Sequence, residues 1–82
     1  MKERTAFDLI ETELIGATNK FGEFPSMHHG YAAIKEELDE LWDAIKDKEK
    51  GLYEIRGEAI QVGAMAVRFL TDLIDNSKCI RR

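Results

Sequence analysis

Four carboxylates crowd into the pentad Glu36-Glu37-Leu38-Asp39-Glu40, and Glu58 follows in a later stretch with Gln61 three residues beyond it. Carboxylates without nearby thiols or paired imidazoles are hard oxygen donors, suited to Mg²⁺ or Mn²⁺ rather than Zn²⁺. The pentad lies inside an amphipathic segment from Ser26 to about Lys48, where Ile34, Leu38, Leu41 and Ile45 mark one helical face. At about 100° per residue, Glu37 and Glu40 share a row with Ala33 and Ala44 beside that stripe, so both start near the core. An ionised carboxylate there costs several kcal/mol unless a partner chain supplies positive charge or a cation binds. Glu36 and Asp39 point further out, and Asp39 suits an ordinary solvated position best.

The elements that must position these groups are helices. The 82-residue chain is 44% hydrophobic with a single Pro, and long stretches of Ala, Glu, Lys, Leu and Ile indicate one all-α domain over residues 1–82. A domain of this size buries only roughly 60–65% of its unfolded surface, so oligomerisation would add the missing core. The expected architecture is an antiparallel helical hairpin plus an N-terminal helix, assembled into a bundle as a homodimer or homotetramer. The net charge of −4 gives no basic stripe for nucleic-acid phosphates, and no run is apolar enough for a signal peptide or membrane span. Cys79 is the only cysteine, which excludes an internal disulfide. These features suit a cytoplasmic protein without nucleic-acid or membrane partners.

Thr5 is the expected cap of the first helix, whose apolar side (Phe7, Ile10, Leu14) reaches about Lys20. Gly22 and Pro25 end it through a connector, and Ser26 can cap the second helix. His28 and His29 lack a ligand partner at helical spacing and read as ordinary histidines. Trp42, off the main stripe, is expected to pack against another helix or subunit. Lys46 to Gly51 reads as a turn between antiparallel helices.

The third helix, from about Tyr53 to Asn76, carries the stripe Ile55, Ala59, Val62, Ala66, Phe69, Leu70 and Leu73. A second apolar line, Ile60, Val67 and Ile74, lies beside the small residues Gly63 and Ala64. Two apolar sides call for two partners, one from the same chain and one from another copy. Glycines at 57 and 63 each cost about 1 kcal/mol in a helix interior, which close packing would offset. On the remaining side, Glu54, Glu58, Gln61, Met65, Arg68 and Asp72 form a polar row. Antiparallel packing of the second and third helices lets Glu37, Glu40 and Glu58 converge on one cation.

With Glu-Glu-x-x-Glu at residues 36–40 and Glu58-x-x-Gln61, the chain resembles the MazG-like all-α nucleoside triphosphate pyrophosphohydrolases, whose second motif is Glu-x-x-Asp. The segments His29 to Lys35 and Gln61 to Arg68 also resemble small, phage-like members, and the likeness covers about residues 20 to 74. The resemblance implies Mg²⁺-dependent hydrolysis of a nucleoside triphosphate between the α and β phosphates, with Mn²⁺ as an alternative ion. Carried over by position, it assigns metal to Glu37, Glu40, Glu58 and Gln61. Glu36 becomes either a further ligand or the group that orients and deprotonates water. Gln61 departs from the motif: its amide oxygen can bind a metal but brings no charge. Lys20 and Arg68 could contact phosphates, and a surface ion pair is the competing role for each. The alternative to an enzyme is a non-catalytic helical oligomerisation or nucleotide-binding module.

Overall fold

The computed structural model describes residues 1–74; for residues 18–21 it describes the backbone alone. Helices α1 (Glu3–Phe21), α2 (Met27–Lys46) and α3 (Leu52–Phe69) are followed by a π-helical turn, Leu70–Ile74, so the protein is all-α with no strand among the described residues. The end of the third helix expected near Asn76, the terminal Arg81-Arg82 pair and Cys79 lie outside the described residues.

The helix ends follow local chemistry. Helix α1 begins at Glu3 rather than after Thr5, because Glu3 favours the positive helix N-terminus and nothing at Lys2 to Arg4 interrupts helical backbone. It stops where Gly22 takes φ 71°, the left-handed conformation that closes a helix and that glycine adopts without penalty. Ser26 caps α2, its hydroxyl accepting the His29 N–H at 3.2 Å and lying 2.8 Å from His29 Nδ1. At the start of α3 the Glu54 carboxylate reaches back to accept the Gly51 N–H at 2.9 Å.

Helix α3 is the shared partner. Its Gly63 lies against Ile10 of α1, and Ala64 is fully buried beside Ala17 and Met65 in the small core. Gly30, at the start of α2, lies against Phe69 and Leu73 at the far end of α3. Small residues at these seams let the backbones approach closely.

The faces turned inward differ from those expected. Leu38 and Ile45 are each 49% exposed, while Gly30 and Ala44 are buried and Glu37 is half-buried. On α3 the polar row turns inward: Met65 and Arg68 are buried, Glu58, Gln61 and Asp72 are half-buried, and Ala59, Ala66 and Leu70 are exposed. Hydrophobic periodicity gives the width of an apolar stripe; the small residues beside it decide which edge a neighbour covers. Of the second apolar line of α3, Ile60 lies beside Ala6, Leu9 and Ile10 of α1, while Ile74 is 41% exposed. Gly57, expected to be offset by close packing, has nothing within 4 Å of where a side chain would begin.

Candidate carboxylate site

Helix α2 presents Glu37 and Glu40 on adjacent turns, and α3 brings Glu58 to meet them. One carboxylate oxygen from each lies within 4.8 Å of the others. Glu37 and Glu58 are half-buried and Glu40 is exposed, so the cluster sits at the mouth of a cleft rather than in the core. The cleft, about 400 Å³, is completed by Gln61, Met65 and Arg68 of α3 and by Glu13, Gly16 and Ala17 of α1.

The Glu37 carboxyl titrates at about 7, raised from 4.5. Partial removal from water is the largest cause, followed by a hydrogen bond with Glu40 and by the charges of Glu40, Glu58 and Glu36. Below about pH 7 the cluster therefore holds a proton in place of one negative charge. A cation entering among these oxygens would release that proton and supply the missing positive charge. The donor set suits a hard divalent ion: six oxygens around Mg²⁺ at about 2.1 Å are separated by roughly 3 to 4 Å, so small side-chain adjustments would gather the three.

Glu36 is exposed and faces a neighbouring cleft of about 450 Å³, which it shares with Glu37, Phe24, Pro25, His29, Met65 and Arg68. Glu37 and Arg68 thus belong to both clefts. Arg68 is only 4% exposed, so the ion pair it makes is a buried one rather than a surface one. Its guanidinium lies 4.1 Å from the centre of the Phe24 ring, pairs with Asp72 at 3.7 Å and donates to the Gly22 carbonyl oxygen. The Asp72 carboxylate also accepts the Phe24 N–H at 3.1 Å. Arg68 and Asp72 together tie the connector after α1 to the end of α3.

Of the residues singled out from sequence, Glu37, Glu40, Glu58, Gln61 and Arg68 line one cleft; Glu36 stands beside it, and the side chain of Lys20 lies outside the described residues. Sequence reasoning missed Glu13, a further carboxylate that α1 contributes to the cleft. The signal was present: Glu13, Gly16 and Ala17 share one helical face, a carboxylate beside two residues small enough to leave a cleft open. Trp42 is 56% exposed, with Lys46 Nζ 5.3 Å from its ring centre.

Compared with known proteins, the sequence matches no family model and no curated protein, and the fold matches no solved structure.

Proposed function

We propose that the protein is a Mg²⁺-dependent nucleoside triphosphate pyrophosphohydrolase, releasing a monophosphate and pyrophosphate, and that it works as a homo-oligomer of antiparallel α2–α3 hairpins. The observation that carries the reading is the convergence of Glu37, Glu40 and Glu58 from two helices, with oxygens within 4.8 Å in an open cleft. Glu37, Glu40 and Glu58 would hold Mg²⁺, or Mn²⁺, with the neutral oxygen of Gln61 beside them. The ion would neutralise phosphate charge and make a bound water more acidic. Glu36, flanking Glu37 on the solvent side, is assigned the proton from the attacking water. Arg68, oriented by Asp72 and Gly22, lines both clefts and would supply positive charge to a phosphate bound at their junction.

Pyrophosphate release from a panel of nucleoside triphosphates, with and without Mg²⁺, tests this directly. The wild type should turn over at least one triphosphate, and E37Q or E40Q should lose that activity while remaining helical. Equal activity in all three proteins rejects the assignment.

A second reading, a nucleotide-binding or interaction module without turnover, is favoured by the neutral Gln61 and by the uncovered apolar face of α2. Nucleotide binding without product, or self-association without either, would select it.

A further inference from the structure

The apolar residues of α2 that its own chain leaves uncovered form a continuous strip. Tyr31, Leu38, Trp42 and Ile45 are respectively 64%, 49%, 56% and 49% exposed. Leu38, Asp39, Leu41, Trp42 and Ile45 line a shallow groove of about 320 Å³. From Tyr31 to Ile45 the strip runs about 21 Å along the helix.

The strip has a defined position relative to the carboxylates. Gly30 and Glu37 mark the seam of α2 with α3, and at about 100° per residue Leu38 and Ile45 lie roughly 60–100° round the axis on one side of it. Glu40 lies about 60–80° round on the other side. On α3, Ala66 and Leu70 likewise turn away from the seam on one side, and Gln61 and Arg68 on the other. Since the start of α2 meets the end of α3, the same sense of rotation leads to the same side of the pair. The exposed strip of α2 and the exposed Ala66 and Leu70 of α3 therefore form one face, with the carboxylate cleft on the opposite face.

We infer that this face binds the same face of a second copy about a two-fold axis near Leu38, leaving each carboxylate cleft open and pointing away from the interface. Three features favour a second copy as the occupant. The face is two helices wide and about four turns long, a footprint of the same order as the ~800 Å² per partner of a stable interface. Beside its centre the charge of Asp39 is offset by Lys35, and the acidic cluster lies behind it, so two chains of net charge −4 can meet without opposing their acidic sides. Antiparallel pairing of the two α2 helices sets Leu38 against Leu38 and Tyr31 against Ile45. It also brings Lys35 of each copy to within half a turn of Asp39 on the other. Lys35 and Asp39 already pair within the chain at 2.9 Å, on the rim of the strip, and can exchange partners across the axis.

This inference rests on the self-assembly part of the function proposed above and is independent of its chemistry. Trp42 is the only tryptophan, so its fluorescence reports on this face alone. The test is sedimentation equilibrium of the full chain with tryptophan emission recorded over a dilution from about 1 mM to 1 nM. A dimer whose emission shifts to longer wavelength as it dissociates is expected. Leu38→Lys with Ile45→Lys should weaken the dimer by at least about 100-fold, while Phe7→Lys on α1 should leave it unchanged. K35D and D39K alone should each weaken the dimer, and an equimolar mixture of the two should restore it. The mixture leaves every within-chain pair broken, so only contact between copies explains its recovery. A monomer throughout the range, a dimer indifferent to the Leu38 and Ile45 substitutions, or emission unchanged on dissociation overturns the inference. If the lysine double variant loses its helical circular dichroism, the charge-reversal mixture decides: no recovery on mixing also overturns it. Pyrophosphate release from the same samples is read separately, so a dimer without activity rejects the enzyme reading and leaves the interface standing.

Discussion

Glu37 of α2 and Glu58 of α3 bring carboxylate oxygens within 4.8 Å of each other, with Glu40 inside the same distance. Packing the two helices forces these like charges together, and the protein tolerates the contact by keeping a proton on Glu37 up to about pH 7.

That proton makes stability depend on pH in a defined direction. Unfolded, Glu37 titrates at 4.5; folded, at about 7. Between these values the folded state binds the extra proton, so the contribution is complete below pH 4.5 and is lost as pH rises to about 7. After discounting for solvent reaching the open cleft, the loss should be on the order of 1–2 kcal/mol. Thermal melts of the metal-free protein should show this decline, and E37Q should flatten it. A wild-type midpoint that rises through the same interval contradicts the raised proton affinity.

Divalent cations should reverse the decline. If the three carboxylates hold Mg²⁺, millimolar ion at pH 8 should raise the melting midpoint, and an ion present at 100 times its dissociation constant contributes about 2.7 kcal/mol. E40Q and E58Q should each remove most of that gain without lowering the metal-free midpoint, because each also relieves repulsion. Gln61→Asp should strengthen the response by adding a charged ligand. An identical Mg²⁺ shift in wild type, E40Q and E58Q would place the ion elsewhere.

The helices and the pairing of acidic rows were legible in the sequence because they depend on periodicity. Ile34 to Ile45 repeat as a helix must, and Glu37, Glu40 and Glu58 fall on rows that opposed helices bring together. The sides turned inward were less legible, because the choice depends on which small residues meet. Gly30 against Phe69, and Gly63 against Ile10, set the approach of α2 and α1 to α3, and Leu38 and Ile45 stay outside as a result. Such pairs are tertiary matches between distant residues, with no local signature in either helix. The packing of Arg68 was hidden for a similar reason: its partners Gly22 and Phe24 lie in the connector, and only the fold brings them to it.

The tie between that connector and α3 should be cooperative. Arg68→Ala removes a buried side chain and leaves Asp72 half-buried without its cation, a loss of about 3 kcal/mol. Asp72→Asn keeps an acceptor for the Phe24 N–H and should cost only about 1 kcal/mol. Urea denaturation of both single variants and the double variant should show the pair losing less than the sum, by about 1 kcal/mol. Strict additivity would mean that the two side chains hold the connector independently.

Two glycines in helices should respond to alanine differently, with only one of the substitutions stabilising the protein. A methyl at Gly30 would fall 2.6 Å from Cδ2 of Phe69 and 2.9 Å from Cδ1 of Leu73. Relieving that overlap means moving a ring packed on the seam between α2 and α3, and overpacking of this kind costs about 1–3 kcal/mol. Alanine's better helix propensity returns about 1 kcal/mol, so Gly30→Ala should be neutral to destabilising by about 2 kcal/mol. It should also disturb the carboxylate cluster two turns along α2. At Gly57 nothing lies within 4 Å of the new methyl, and only the propensity remains. Gly57→Ala should therefore stabilise the protein by about 0.5–1 kcal/mol, raising the melting midpoint by roughly 2–8 °C for a domain of this size. Thermal melts of the two variants beside the wild type check both expectations. Stabilisation of equal size in both would show that α2 and α3 do not approach through Gly30, and the positions of Glu37 and Glu58 would have to be drawn again.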